Sequence, residues 1–243
     1  LLVEKEKSIK EFKPEEFWDV SFIAKDSNDI EINFDLPRKK SDPLLSAEEA
    51  KSIQALIENT NLNISAISQR PVKTKPKPPF ITSTLQQAAS TRLGFNVKRT
   101  MRVAQKLYEN GFITYMRTDA PSLSKESIQD ARAFIGDELG SSYLTNAPRI
   151  YSSQENAQEA HEAIRPTSAS RKPAMITSSS DEEQRLYELI WQQFISSQMP
   201  DAEYLSTSAK VNLEGYEFVA RGREVVFDGF TKVMPPRKDE DAI

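Results

Sequence analysis

A run of closely spaced prolines in the middle of the chain constrains the fold more than any other feature. Four of the ten residues between Arg70 and Pro79 are prolines. Because proline fixes φ and lacks an amide hydrogen, this stretch cannot lie inside a helix or a central strand. We therefore predict an extended linker here, with a domain boundary within it.

The sequence before the linker has the pattern of strands with one helix. Residues 17–23 are rich in aromatic and β-branched residues, and residues 30–34 alternate apolar with polar ones, so a hairpin is predicted. Ser46, followed three residues later by a glutamate, is a capping-box pattern that predicts a helix to about residue 59. Residues 62–68 alternate again and predict a strand.

The sequence after the linker is mostly helical until strands return. Capping residues and glycines delimit predicted helices at residues 84–93, 97–110, 124–139 and 180–199. Strands are predicted at residues 204–213, 216–220 and 224–227, with a turn at Glu214-Gly215. The predicted fold class is α+β, in which a helical domain (75–200) is inserted into a β-rich domain made of residues 1–74 and 201–243.

The residue inventory excludes several kinds of chemistry. The chain has 243 residues, no cysteine and one histidine, His161. Disulfides, thiolate catalysis and zinc fingers are therefore excluded within these residues. No apolar run approaches the roughly 18 residues that span a bilayer, and the start lacks a signal-peptide pattern. Because Leu1 is not a methionine, we expect the sequence to be cut from a longer one.

The net charge of −4 hides a basic block in the middle of the chain. Residues 64–118 contain ten lysines and arginines but only one acid, Glu109. An acidic protein with such a block can bind a polyanion locally. The alternative is a charged face that is simply solvated. The acidic residues 239–241 are more typical of a solvated tail than of a metal site, and we assign no metal ligands in this chain.

The connection between two predicted helices carries the most reactive combination of side chains. Residues 111–119 include Thr114, Tyr115, Arg117 and Asp119. A phenol has a pKa of about 10 and is a poor nucleophile at neutral pH, but a nearby cation stabilises phenolate. If the segment is extended, Tyr115 and Arg117 share a face, and the guanidinium could also grip a phosphate. The alternative is a buried tyrosine bonded to Asp119, with the arginine in a salt bridge.

Two further segments offer weaker signals. If residues 157–166 are helical, His161 and Arg165 lie four apart on one face and could address one ligand oxygen. The alternative is a surface histidine among glutamates. Thr82 and Ser83 stand at a predicted helix start, where hydroxyl groups can contact a phosphate or simply cap the helix. The helices on either side of residue 94 also resemble a helix-turn-helix, which is a weak motif on sequence alone.

Together these segments resemble one family, the type IA topoisomerases, and bacterial DNA topoisomerase I in particular. Residues 79–90 are similar to the start of that family's helical domain, and residues 111–119 to its active-site tyrosine motif. Residues 160–166 are similar to its downstream histidine motif, and the likeness continues through residues 191–194 and 227–233. The resemblance covers essentially the whole chain and is strongest from residue 79 to 167.

The resemblance implies that Tyr115 attacks single-stranded DNA, forming a 5′-phosphotyrosyl link without ATP, while negatively supercoiled DNA is relaxed by strand passage. It implies catalytic roles for Tyr115, Arg117 and His161. The expected DNA contacts are Thr114, Arg165, Thr82, Ser83, Arg92, Lys98 and Arg99. Magnesium would be bound by a Toprim domain that this sequence lacks, so the chain alone is expected not to relax DNA. The implied setting is the bacterial cytoplasm, at the nucleoid, with DNA and the remaining domains as partners.

The sequence departs from the family pattern at one position, since Ala120 stands where serine usually follows the aspartate. Two alternatives stay open. The chain could be a helix-turn-helix DNA-binding module without chemistry, which the basic block supports equally well. It could also come from topoisomerase III or reverse gyrase, although residues 81–84 and 116–119 are more similar to bacterial topoisomerase I.

Overall fold

A computed structural model describes residues 1–39, 41–151, 162–176 and 180–237. Its helices are α1 (Leu2–Glu11), α2 (Ala47–Asn59), α3 (Thr82–Leu93), α4 (Val97–Glu109), α5 (Lys125–Glu138) and α6 (Asp181–Ser197). Its strands are β1 (Ser21–Lys25), β2 (Glu31–Asp35), β3 (Ile64–Thr74), β4 (Ala202–Leu213) and β5 (Tyr216–Phe227). The fold is therefore α+β, as the sequence predicted. None of the described helices is both long and apolar enough to cross a membrane.

The strands form one sheet in the order β1-β2-β5-β4-β3. Strands β1 and β2 pair antiparallel with Phe22 opposite Phe34, whose rings stack at 5.0 Å. At the other side, side-chain bonds from Ser65 to Lys210 O and from Gln69 to Thr207 show that β3 runs antiparallel to β4. The sheet thus places β3 at an edge, where its outer N–H groups need no partner strand.

Two local predictions were wrong, and one helix was missed. Residues 70–74 belong to β3, not to a linker, because an edge strand tolerates Pro71. Strand β5 is continuous, although residues 216–220 and 224–227 were predicted as two strands. Helix α1 was not predicted, and its side chains are all exposed. The turn at Glu214-Gly215 was correct, and both residues have positive φ, as a tight hairpin turn requires.

The chain divides into two compact units in the structure. The first comprises residues 1–70 and 206–223, and the second comprises residues 71–205 and 224–243. In the first unit, Phe34, Ile53 and Phe218 belong to one buried cluster. The division into a β-rich domain (1–74 and 201–243) and an inserted helical domain (75–200) stays a prediction.

The second unit contains the candidate functional residues. Its main core gathers buried residues from three helices, α3, α4 and α6, among them Leu85, Leu107 and Ile190. Phe80, Ile113 and Ile164 are also buried there. Short bridges join Phe80 to Ile164 and Ile113 to Pro166. The segment after α4 and the segment after Glu162 are therefore both anchored in the same core.

Candidate active site

The segment that carries Tyr115 is irregular, with bends at Thr114 and Met116, and its side chains alternate between buried and exposed positions. Met116, Thr118 and Ala120 are buried, whereas Tyr115, Arg117 and Asp119 are exposed. Tyr115 and Arg117 are therefore both exposed to solvent. The sequence predicted a shared face if the segment were extended, and the bends show that the segment is not a regular strand.

Exposure distinguishes Tyr115 from most of the other tyrosines. Its side chain is 48% exposed, and its ring packs edge-on against Tyr108 with centroids 5.3 Å apart. Tyr187, in contrast, is fully buried and donates its hydroxyl to Arg171 O at 2.7 Å. Burial raises the pKa of Tyr187 to about 12, so that phenol is neither accessible nor readily ionised.

Two other tyrosines have phenols held in place by neighbours. Tyr143 donates to Asp228 Oδ1 at 2.7 Å, and this hydrogen bond raises the pKa of Tyr143. Tyr151 donates to Ser197 O, and burial raises the pKa of Tyr151. Both hydroxyls are therefore less suited to nucleophilic attack than one that projects into solvent.

The side chain of Arg117 has no partner among the described residues and could therefore bind a ligand. Its side chain is exposed, and no hydrogen bond or ion pair joins it to another described residue. Asp119 likewise has no such partner among the described residues. The alternative of a buried tyrosine bonded to Asp119 with a paired arginine does not match this arrangement.

Threonine side chains hold the tyrosine segment on both sides. Thr114 donates its hydroxyl to Ala163 O at 2.7 Å and accepts the N–H of Arg165 at 3.0 Å. Thr82, the first residue of α3, donates to Met116 O and accepts the N–H of Thr118. Both were predicted to contact DNA, but their hydroxyls are engaged within the protein.

Arg165 is also engaged within the protein. Its guanidinium donates to Glu162 Oε2 at 2.7 and 3.1 Å, and its side chain is only 16% exposed. The other oxygen of Glu162 accepts the N–H of Ser124, the residue that caps α5. Residues 162–166 are extended, not helical, because the bridges to Phe80 and Ile113 replace helical hydrogen bonds. His161 lies outside the described residues.

The basic residues on α4 are partly neutralised by the first turn of α6. Glu182 binds Arg99 at 2.6 Å and Arg102 at 3.0 Å, and Lys106 lies 3.6 Å from Glu183. Burial acts to raise the pKa of Glu182, but the hydrogen bonds and charges of the two arginines outweigh it and lower the pKa. Arg99, a predicted DNA contact, is therefore already paired with a carboxylate.

The remaining residues predicted to contact DNA differ in whether their side chains are paired within the protein. Lys98 is exposed, and no described residue pairs with it. Ser83 is exposed at the start of α3. Arg92 donates to Pro235 O at 3.0 Å. Tyr115 and Arg117 therefore lie close in the chain and are both exposed. The other residues predicted to contact phosphate are spread over α3, α4 and the segment after Glu162.

Sequence reasoning missed the roles of Glu162 and Tyr108. The ion pair of Glu162 with Arg165 could have been predicted, because the two residues are three positions apart and of opposite charge. No signal singled out Tyr108, whose ring packs against that of Tyr115 across the turn at Gly111, where φ is +70°. Among the described residues, no group of three or more acidic, histidine or cysteine side chains could hold a metal ion.

Known proteins resemble this chain along its whole length. The DNA topoisomerase family model matches residues 1–243. DNA topoisomerase 1 of Pseudomonas aeruginosa is 46% identical over 237 residues, which are 97% of this chain and 27% of that protein. DNA topoisomerase 1 of Escherichia coli is 43% identical over 247 residues, which are 100% of this chain and 29% of that protein.

A solved structure agrees with these relatives. Full-length topoisomerase I from Thermotoga maritima matches with a TM-score of 0.77 and 31% identity, over 97% of this chain and 38% of that one. The chain spans little more than a quarter of the length of the two relatives above. From the matched family model and these identities, the chain belongs to the bacterial DNA topoisomerase I family.

Proposed function

We propose that this chain is the nucleophile-bearing part of a type IA DNA topoisomerase that relaxes negatively supercoiled DNA. The observation that carries the proposal is an exposed phenol, Tyr115, two residues before an exposed arginine, Arg117, that pairs with no described residue. Family membership supports the reaction class. The single-stranded part of the DNA is the substrate, and the remaining domains of the same polypeptide are the partners.

The proposed reaction exchanges one phosphodiester for another. The phenolic oxygen of Tyr115 forms a bond to phosphorus as the bond from phosphorus to the 3′ oxygen breaks. The phenol loses its proton, and the departing oxygen takes one up to become a 3′-hydroxyl, so that the protein is left on the 5′ phosphate. Because the new bond is again a phosphodiester, its energy is retained and resealing needs no ATP. Another strand passes through the gap before the reverse reaction closes it.

Arg117 holds the scissile phosphate in this proposal. A guanidinium presents two parallel N–H donors that match two phosphate oxygens. Placed where charge builds up on the phosphate, it favours the transition state over the ground state. His161 stays a proposed contact for DNA or the phosphate, or a route for the proton.

Magnesium does not fit the described residues of this chain, because no suitable cluster of ligands forms among them and Asp119 offers one isolated carboxylate. In the proposal, Mg²⁺ belongs to another domain of the full-length enzyme, and this chain alone does not relax DNA. Relaxation by the purified chain, free of contaminating enzyme, would contradict that part of the proposal.

The second candidate is a helix-turn-helix module that binds DNA without chemistry. Helices α3 and α4 are joined by residues 94–96, as that motif requires. However, Glu182 and Glu183 already pair with three cations of α4. Those charges are therefore less available to phosphates, and the observation does not favour this candidate.

The two candidates differ in whether DNA becomes attached to the protein. Full-length protein carrying this chain is incubated with Mg²⁺ and end-labelled single-stranded DNA, then denatured. We expect a covalent adduct on the 5′ phosphate that is lost in Tyr115→Phe. Tyr108→Phe is the matched control, since it removes the hydroxyl of the neighbouring ring and should retain the adduct. DNA binding without any adduct would support the binding module instead.

A further inference from the structure

Thr82 makes four hydrogen-bond contacts with the backbone of residues 116–118, the segment that carries Arg117. Its hydroxyl lies 2.8 Å from Met116 O and 3.0 Å from Thr118 O, so its single hydrogen is within reach of carbonyls on both sides of Arg117. The same oxygen accepts the Thr118 N–H at 2.9 Å. The N–H of Thr82 donates to Thr118 O at 2.9 Å. Because Thr82 begins α3, this N–H has no partner within the helix and is free for that bond.

These bonds fix which side chains face solvent. Met116 and Thr118 are 1% and 7% exposed, and they flank the exposed Arg117. Because buried and exposed side chains alternate over residues 115–120, a shift of one residue would bury the exposed set and expose the buried set. Bonds from Thr82 to the backbone of both flanking residues therefore hold Arg117, and with it Tyr115, on the outer face.

No other described residue supplies this restraint. Within the described part of the chain, the hydrogen bonds to the backbone of residues 116–118 all come from Thr82. Thr114 restrains the segment only before Tyr115, through Ala163 and Arg165. Loss of the Thr82 hydroxyl would leave Met116 O and the Thr118 N–H without these partners while both side chains stay in the core.

We propose that Thr82 is a positioning residue for DNA cleavage, acting through the backbone on Arg117 and Tyr115, and not a contact to DNA. This inference rests on the proposed topoisomerase function. A positioning residue affects how well the bound phosphate is aligned with the nucleophile. A residue that contacts DNA affects how tightly the DNA is held. The rate of cleavage at saturating DNA and the DNA affinity therefore separate the two roles.

The test compares three substitutions in the full-length protein. Thr82→Val keeps the branched shape and removes the hydroxyl, whereas Thr82→Ser keeps the hydroxyl. Thr91→Val is the control, because Thr91 lies on the same helix and its hydroxyl bonds only to carbonyls of the preceding turn. Single-turnover cleavage of end-labelled single-stranded DNA gives the rate, and a binding titration without Mg²⁺ gives the affinity.

We expect Thr82→Val to cleave about tenfold more slowly at saturating DNA, as the loss of a few neutral hydrogen bonds would cause. The affinity should stay within about twofold of wild type, and Thr82→Ser should restore most of the rate. Thr91→Val should match wild type in both measurements. The melting temperature is measured for every variant, so that slow cleavage can be assigned to folded protein.

Several outcomes would overturn the inference. Equal cleavage rates for Thr82→Val and wild type would show that the restraint is not needed. Weaker binding with an unchanged saturating rate would make Thr82 a DNA contact. If Thr82→Val does not fold, Thr82→Ala takes its place, and failure of both to fold would make the hydroxyl a folding element only. Absence of an adduct in wild type would instead remove the proposed function itself.

Discussion

The tyrosine segment and the segment after Glu162 lie side by side but use their arginines in opposite ways. Arg117 is exposed and pairs with no described residue, whereas Arg165 is largely buried and bound by Glu162. Both arginines stand in segments whose sequences resemble motifs of the family. The difference teaches that two arginines in such motifs can be used differently, one exposed without a described partner and the other bound within the protein.

Arg117→Ala removes the exposed arginine of this comparison and should have the largest effect on the rate of DNA cleavage. Removing a donor that stabilises charge on the phosphate should slow cleavage by about 10²- to 10³-fold. Arg117→Lys should recover only part of the rate, because an ammonium cannot form the paired bonds of a guanidinium. Single-turnover cleavage at saturating DNA measures both. A cleavage rate within about threefold of wild type for Arg117→Ala would contradict the role given to this residue.

Glu162→Gln tests the structural role of the buried arginine, because it removes the charge that binds Arg165. Loss of a charge-assisted pair at a part-buried position should cost about 1.5–3 kcal/mol of stability. The matched control is Glu138→Gln, which breaks the exposed pair with Lys172 and should cost less than about 1 kcal/mol. Thermal melting of the full-length protein gives both values. Equal melting temperatures for the two variants would show that the Glu162–Arg165 pair is not structural.

Lys98 and Arg99 extend the comparison to adjacent residues of α4. Lys98 has no described partner, whereas Arg99 is bound by Glu182. If Lys98 contacts a phosphate, Lys98→Ala should reduce the salt dependence of single-stranded DNA binding by about 0.7 in the log–log slope. Arg99→Ala should reduce it less, since its charge is already offset. A larger change for Arg99→Ala would mean that DNA displaces Glu182.

Ala120→Ser should have the smallest effect on chemistry. Ala120 is fully buried, and its N–H donates to the Thr118 hydroxyl. A serine hydroxyl at this position would lie in the interior, away from the face that carries Tyr115 and Arg117. We expect a cleavage rate within about twofold of wild type, with a change in melting temperature if the new hydroxyl finds no partner. A tenfold change in the single-turnover rate would show that this position affects the reaction directly.

Local patterns predicted much of the fold, and the reasons for the failures are physical. The capping box at Ser46 and the stop at Gly94 set helix ends through local hydrogen bonds, so the sequence was sufficient. The extension of β3 through Pro71 depends on its place at the sheet edge, which no local pattern contains. The alternation of buried and exposed side chains around Tyr115 follows the period expected of an extended segment, but the bends at Thr114 and Met116 were not predicted.

The partners of the site residues could not be predicted in the same way. The bonds of Thr82 to residues 116–118 span more than 30 positions, and those of Thr114 to residues 163–165 span about 50. The pairing of Glu182 with Arg99 spans 83 positions. The sequence therefore could not show that these side chains are hydrogen-bonded or paired within the protein.

The most direct test of the central claim is to identify the residue that becomes attached to DNA. The covalent complex of the full-length protein is trapped by denaturation, digested with a protease and a nuclease, and analysed by mass spectrometry. We predict that the remaining nucleotide is carried by Tyr115. A nucleotide on Tyr108, whose exposed ring lies 5.3 Å from that of Tyr115, or on any other residue would contradict the assignment of the nucleophile.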